Sequence, residues 1–191
     1  MKVITLNDIE FQESCRQLFS LINRDFDLVV GIMKGGDFVL KTYQSYAPKK
    51  GQSYGVVDLQ RTTTGFKKKR ILKYLLRNLP YSILDKIRVY EFHWLNRKLK
   101  NQIIEPVEDF DMALDRPEEV KHILVLDDAI DSGATMLSTV KGLSKKYPRA
   151  RIVTAVVAWT NSNSIYQPDY YRFKGVLIRF PWSLDYKKWS V

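Results

Sequence analysis

The chain has 191 residues and carries 31 lysines and arginines against 21 aspartates and glutamates, a formal net charge of +10. Hydrophobic residues at 45% and charged residues at 27% are typical of a globular protein and exclude a disordered one. No apolar run reaches the roughly 18–20 residues of a membrane helix, and the single cysteine excludes a disulfide framework. We expect one soluble, cytoplasmic domain over residues 1–191 whose positive charge favours an anionic ligand.

Short β-branched runs alternate with amphipathic segments, the pattern of a parallel sheet flanked by helices. In chain order, the predicted elements are a helix capped by Asn7 or Asp8 and ending near 24, a strand over 26–32, a helix over 37–46, strands over 53–59, 103–107 and 122–126, a helix over 133–146, and strands over 150–159 and 175–180. The sequence therefore predicts an α/β fold with an open, mainly parallel sheet.

Residues 66–102 interrupt this alternation. The segment is helical in pattern, basic and broken only by Pro80, so it predicts two amphipathic helices hinged at that proline. From Arg61 to Leu84 there are seven lysines and arginines and no acidic residue. Three roles stay open for this insertion, namely a lid, a subunit interface, or a surface for nucleic acid or anionic lipid. A combined lid and oligomer role is slightly favoured.

The segment from Ile123 to Thr135 carries the chemistry. A buried strand is followed by two adjacent carboxylates, Asp127 and Asp128, and a tight turn then opens a helix. Ligands of open parallel sheets bind beyond the carboxyl ends of the strands, and helix N-termini attract phosphate. Carboxylates beside a phosphate suit sugar hydroxyls or Mg²⁺. The segment predicts a sugar-phosphate site with the ribose on the two acids and the phosphate on Asp131, Ser132, Gly133, Ala134 and Thr135.

This segment resembles the phosphoribosyl pyrophosphate (PRPP) motif of the type I phosphoribosyltransferases. The stretch Met33-Lys34-Gly35-Gly36, after the first predicted core strand, resembles the pyrophosphate loop of that family. The pattern is most similar to the hypoxanthine-guanine and xanthine-guanine enzymes, whose C-terminal hood is echoed by residues 166–170 and 180–186. The resemblance implies the type I phosphoribosyltransferase fold, with a small hood from the chain ends that includes residues from about 160 to 191.

The resemblance also implies an activity, the transfer of 5-phosphoribosyl from Mg-PRPP to a nitrogenous base with release of pyrophosphate. By similarity, Met33, Lys34, Gly35 and Gly36 bind the pyrophosphate, and the Met33–Lys34 bond is a candidate cis peptide. Asp127 and Asp128 hold the ribose hydroxyls and the metal shell, and Asp185 reaches Mg²⁺ from the hood. Asp131 is the candidate general base. A helix cap is the alternative role for Asp131, and the two roles are compatible.

The base itself is not identified by the sequence, although a purine or purine-like base is favoured. Purine enzymes of the family read the 6-oxo group with a lysine, and the matching stretch here, which contains Ala158, has none. The candidate residues of the base pocket are Trp159, Leu177, Ile178 and Trp182. The mobile loop that closes over the site in the family is expected to begin at Arg61, Thr62 and Thr63.

One alternative belongs to another class, a non-catalytic regulator of the same fold that senses PRPP or a nucleotide and binds RNA or DNA through its basic helices. Retention of Lys34 and the site aspartates favours the enzyme, and nucleic acid is the less favoured partner. The resemblance further implies a homo-oligomer, a dimer or larger. His93 and His122 lack metal-ligand spacing, and Cys15 on an apolar helix face is expected in the core.

Overall fold

In a computed structural model, which describes residues 1–46, 51–58, 76, 79–99 and 120–187, five strands form the main sheet. They are β2 (Leu28–Ile32), β3 (Ser53–Val57), β4 (His122–Ile130), β5 (Arg151–Trp159) and β6 (Tyr170–Lys174). Their order is β3-β2-β4-β5-β6, and each neighbouring pair is parallel. The carboxyl ends of the strands therefore share one edge of the sheet, the place where ligands bind in such folds.

The described helices are α1 (Asp8–Ser20), α2 (Gly35–Tyr46), α3 (Tyr81–Leu99) and α4 (Ala134–Lys146). A capping box begins α1, because the Asn7 side chain accepts a hydrogen bond from the Glu10 N–H and the Glu10 carboxylate accepts one from the Asn7 N–H. The predicted cap is confirmed. The helix ends at Ser20, four residues short of the predicted end.

Two apolar clusters lie on opposite faces of the main sheet. Alternate residues of β4 point to opposite faces, so Leu124 and Leu126 pack with α1 and α2, whereas Ile123 and Val125 pack with α4. Because β4 is covered on both faces, the four residues after His122 form a continuous apolar run, Ile123–Leu126.

A second, two-stranded parallel sheet joins the two ends of the chain. It pairs β1 (Lys2–Thr5) with β7 (Val176–Arg179), with Ile4 opposite Ile178. The N–H of Leu6 extends this pairing by donating to the carbonyl of Arg179 at 3.0 Å. The hood expected from the chain ends is therefore present, and the predicted fold class is confirmed.

The strands differ from the prediction mainly in the length of β4 and in two strands that were not predicted; the other described strand ends agree to within two residues. β4 was expected to end at Leu126 but continues to Ile130, because β5 is equally long and pairs with it through Asp127 and Ala129. The short strands β1 and β6 were not predicted, since short edge strands carry little apolar signal. β6 belongs to the main sheet, so residues 160–191 supply one edge strand of that sheet as well as part of the hood.

Of the insertion, the structure describes residue 76 and residues 79–99. Helix α3 begins directly after Pro80, which confirms the second of the two predicted helices and its start at the proline. The start of the predicted mobile loop, most of the first predicted helix and the predicted strand over 103–107 lie outside the described residues. Within the part of the chain that is described, no helix is both long enough and apolar enough to cross a membrane.

Candidate active site

The turn between β4 and α4 depends on a glycine. Gly133 is the N-cap of α4 and has a φ of 84°, a left-handed conformation that favours glycine. A Cβ built on Gly133 would lie 2.6 Å from the backbone nitrogen of Tyr166. The N–H of Ile165 donates to the carbonyl of Ser132 at 2.9 Å. Residues 165 and 166 therefore hold this turn in place. A side chain at position 133 is excluded both by the left-handed backbone conformation and by the contact with Tyr166.

The first turn of α4 offers the groups expected of a phosphate site. The Ser132 hydroxyl accepts a hydrogen bond from the Ala134 N–H at 3.3 Å. The N–H groups and the dipole at this helix start favour an anion. The Asp131 side chain is exposed and lies two residues before the cap. The N-cap position belongs to Gly133, so Asp131 is not the helix cap.

Asp127 and Asp128 lie side by side near the carboxyl end of β4, and the Asp128 N–H donates to Oδ1 of Asp127 at 2.9 Å. Burial raises the pKa of Asp127 well above its usual range, and the charge of Asp128 adds to that rise. Burial also raises the pKa of Asp128 to about 6, although hydrogen bonds to its carboxylate oppose the rise. A cation or hydroxyl donors would relieve this concentrated negative charge.

The predicted pyrophosphate loop follows β2. The peptide bond between Met33 and Lys34 is cis, as the resemblance implied. The Met33 N–H donates to the carbonyl of Val57 at 2.9 Å, which joins the loop to the end of β3. The Lys34 side chain is exposed at the same sheet edge as the acid pair.

Two glycines bring this loop against the acid pair. A Cβ on Gly35 would overlap the carboxyl group of Asp128. A Cβ on Gly36 would overlap the carbonyl oxygen of Leu126 and lie 3.1 Å from the Cα of Asp127. The absence of side chains permits this close approach. The fold thus places the predicted pyrophosphate loop beside the predicted ribose and metal carboxylates.

The donor chemistry of the acid pair fits Mg²⁺. This ion prefers carboxylate oxygens and is often held by one or two carboxylates together with substrate phosphates. The described residues contain no cluster of three or more His, Cys, Asp or Glu that could hold a metal by themselves. Asp127 and Asp128 are therefore suited to a metal that arrives with a phosphorylated substrate.

Asp185 is bound by two guanidinium groups. Arg88 of α3 donates to its Oδ1 at 2.6 Å, and Arg179 of β7 donates to its Oδ2 at 2.9 Å. Burial alone would raise the pKa of Asp185, but the hydrogen bonds and charges of Arg88 and Arg179 outweigh it and hold the pKa below the usual value. A role as a magnesium ligand would require these ion pairs to open. In this structure Asp185 is placed to hold α3 against the hood.

The centre of this network is Arg179, a residue that sequence reasoning missed. Its side chain is only 1% exposed. Besides Asp185 it donates to Asp85 Oδ1 at 2.7 Å and to Thr5 Oγ1 at 2.8 Å, and its guanidinium lies 4.4 Å from the ring centre of Tyr81. One signal was available, a charged residue within an otherwise apolar strand. Arg179 therefore joins both hood strands and α3.

The residues predicted for the base pocket are divided between the two apolar clusters, and only Ile178 and Trp182 belong to the same one. Trp159 packs in the cluster on the α4 face and donates through Nε1 to Ser164 Oγ at 2.9 Å. Ile178 belongs to the cluster on the opposite face. Trp159 and Ile178 therefore pack in different clusters, and Leu177 is buried in the hood. Trp159 is a core residue here.

Trp182 instead contacts the acid pair. Its Nε1–H donates to Oδ2 of Asp128 at 3.3 Å. The same side chain lines a cleft of about 580 Å³ between α1, α2 and the hood, together with Phe38 and Lys41. The predicted phosphate, ribose and pyrophosphate residues do not line that cleft. The expected mobile-loop residues Arg61, Thr62 and Thr63 lie outside the described residues.

Comparison with known proteins identifies one family over nearly the whole chain. The sequence pattern of the phosphoribosyl transferase domain matches residues 7–189. No curated protein matches the sequence.

Several solved structures share the fold at low sequence identity. The xanthine-guanine-hypoxanthine phosphoribosyltransferase of Helicobacter pylori superimposes with a TM-score of 0.59 at 16% identity, over 95% of this chain and 90% of that chain. A purine phosphoribosyltransferase of Pyrococcus horikoshii gives 0.57 at 16% identity, over 95% of each chain. A hypothetical protein of Neisseria gonorrhoeae with bound ppGpp gives 0.61 at 14% identity, over 95% and 89%. These similarities establish the fold.

Proposed function

The chain belongs to the phosphoribosyl transferase domain family, a family of pentosyltransferases, and we propose that it transfers 5-phosphoribosyl from Mg-PRPP to a purine or purine-like base. One observation carries the proposal. The helix-opening turn after β4, the acid pair and the glycine loop after β2 meet at one edge of the sheet. These are the groups needed for a 5′-phosphate, a ribose and a pyrophosphate.

Each group has a separate role in binding. The first turn of α4 binds the 5′-phosphate through its N–H groups and the hydroxyls of Ser132 and Thr135. The carboxylates of Asp127 and Asp128 accept hydrogen bonds from the ribose hydroxyls and hold Mg²⁺. When bound, Mg²⁺ offsets negative charge on the pyrophosphate. The exposed ammonium of Lys34 and the backbone of Gly35 and Gly36 bind the pyrophosphate from the other side.

The reaction exchanges one bond at the ribose C1 for another. The bond from C1 to the pyrophosphate oxygen breaks and its electron pair leaves with pyrophosphate, while a nitrogen of the base forms the new bond to C1. The proton on that nitrogen passes to a carboxylate, for which Asp131 is the candidate because it is exposed beside the phosphate turn. The nearby carboxylates stabilise the positive charge that develops on the ribose ring.

The favoured base is a purine, in line with the names of the Helicobacter and Pyrococcus proteins of the same fold, and purine salvage is the corresponding pathway class. The position of the usual base-reading lysine is taken by Ala158, which is fully buried among the apolar residues packed with α1 and α2. Recognition of the base therefore uses another group.

The ion pair between Arg88 and Asp185 fixes α3 to the hood, which favours a structural role for this part of the insertion. A homo-oligomer, a dimer or larger, remains part of the proposal.

The test measures turnover of Mg-PRPP with a panel of 6-oxopurines, adenine, pyrimidines and small nitrogenous acids. Pyrophosphate release and nucleotide formation are the two readouts. Asp131→Asn should lower kcat by roughly 10²- to 10⁴-fold if the carboxylate is the general base. The matched control is Asp27→Asn, since Asp27 lies at the amino end of the sheet and accepts from the Lys121 and His122 N–H groups. It should retain activity.

PRPP binding without turnover on any base would contradict the enzyme and favour the regulator. Nucleic-acid binding should then weaken steeply with salt, and neutralising the basic residues 67–70 should reduce that salt dependence.

A further inference from the structure

Trp182 is held by aromatic contacts on several sides. Its indole stacks on Phe180 with ring centres 4.9 Å apart and 4° between planes, and on Phe38 at 4.2 Å and 11°. Phe11 meets it edge-on at 4.8 Å. Such stacked and edge-on pairs restrict a ring to one orientation. The indole therefore has little freedom to turn, and its faces are already in contact with the protein.

The restricted indole directs its one polar group at the acid pair. The Nε1–H of Trp182 donates to Oδ2 of Asp128 at 3.3 Å. Gly35 leaves the space in which the same carboxyl group lies. The Asp128 carboxylate thus lies in the space left by Gly35 and accepts the Trp182 N–H. Phe38, in the first turn of α2, stacks on the indole and fixes the direction of that N–H.

We propose that Trp182 is a positioning residue that sets the orientation of the Asp128 carboxylate for PRPP, rather than a residue that contacts the base. This inference rests on the proposed function, because it assigns the ribose and metal shell to Asp128. A hydrogen bond to a charged carboxylate contributes more than one between neutral groups. The hood therefore acts on PRPP binding through this contact, although Trp182 follows β7 and Asp128 lies in β4.

The direct test compares Trp182→Phe with Phe38→Leu. Trp182→Phe keeps an aromatic ring in the stack and removes the N–H, whereas Phe38→Leu weakens the stack and keeps the N–H. We expect Trp182→Phe to raise the Kd and KM for PRPP by about tenfold while the KM for the base and the melting temperature change little. Because Phe38 acts on the carboxylate only through Trp182, Phe38→Leu should raise the Kd for PRPP by less than Trp182→Phe does, by about threefold. Calorimetric titration with Mg-PRPP in the absence of a base supplies a readout that does not depend on turnover.

A double-mutant cycle separates positioning from a structural effect. In an Asp128→Asn background the Trp182→Phe change should cause little further loss of PRPP affinity, because the two residues act through one contact. Additive losses, an unchanged PRPP affinity in Trp182→Phe, or a selective rise in the KM for the base would each overturn the positioning role. If the native protein itself fails to bind PRPP, the proposed function falls and this role falls with it. Native binding that Trp182→Phe leaves intact removes the positioning role alone.

Discussion

The carboxyl group of Asp128 occupies the space that a side chain on Gly35 would need. Gly35→Ala should therefore displace the carboxylate or the loop, lowering PRPP affinity by at least about tenfold and costing roughly 1–3 kcal/mol of stability through overpacking. Calorimetric titration and thermal unfolding measure the two effects.

Gly51→Ala is the control for this substitution. A Cβ at Gly51 has no atom within 4 Å, but its φ of 84° makes any side chain strained. It should cost about 1 kcal/mol and leave PRPP affinity unchanged. Equal losses of PRPP affinity in the two variants would refute the packing explanation.

Asp185 should matter for stability because it is the buried partner of two arginines. Asp185→Asn leaves Arg179, which is 1% exposed, with one fewer charged acceptor, so we expect a loss of about 3–5 kcal/mol by chemical denaturation. Asp37→Asn removes the carboxylate of an exposed pair with Lys41 and should cost less than about 1 kcal/mol. If Asp185→Asn instead changed the magnesium dependence of activity with stability intact, the result would support the predicted role of Asp185 as a metal ligand.

The acid pair should make stability depend on pH in an unusual direction. The pKa of Asp128 is raised from 3.8 to about 6, so between these values the folded protein binds more protons than the unfolded chain. This contribution is fully present below pH 3.8 and is lost as pH rises through about 6. Asp128→Asn should therefore stabilise the free protein at pH 7.5, by roughly 1–3 kcal/mol, and lose that advantage near pH 4.

The affinity for PRPP should depend on the titration of the same carboxyl group, but it should increase with pH where the stability decreases. A protonated carboxyl group is a poor ligand for Mg²⁺, because metal ligands must be deprotonated. We expect the affinity for Mg-PRPP to fall as pH drops through about 6, the raised pKa of Asp128. An affinity that is flat between pH 5 and 7.5 would contradict this assignment.

The sole cysteine should report unfolding. Cys15 is completely buried, and burial raises the pKa of its thiol from 9.0 to about 12. The thiolate is the reactive species, so at pH 8 the native protein should react with a thiol reagent about 10³-fold more slowly than the protein in denaturant. The labelling rate is measured from the absorbance of the reagent. Rapid labelling of the native protein would show that α1 opens locally.

Several features were predictable because their signals are local. The buried run of β4, the glycines of the two predicted binding loops and the N-cap of α1 are each recognised from a few consecutive residues, because each requires a specific local backbone conformation. Strand ends were less predictable. The backbone pairing between β4 and β5 continues past Asp127, because backbone hydrogen bonds between strands do not depend on the polarity of the side chains.

The α/β class and the turn that opens α4 could be read from the sequence alone, because each depends on neighbouring residues along the chain. Which residues meet depends on how the strands and helices pack. Arg179 holds Asp185 and α3 together, Trp182 donates to Asp128, and Trp159 lies in the core on the other face of the sheet. These contacts join segments that are distant in sequence, and they are fixed by strand order and packing, which no local pattern encodes.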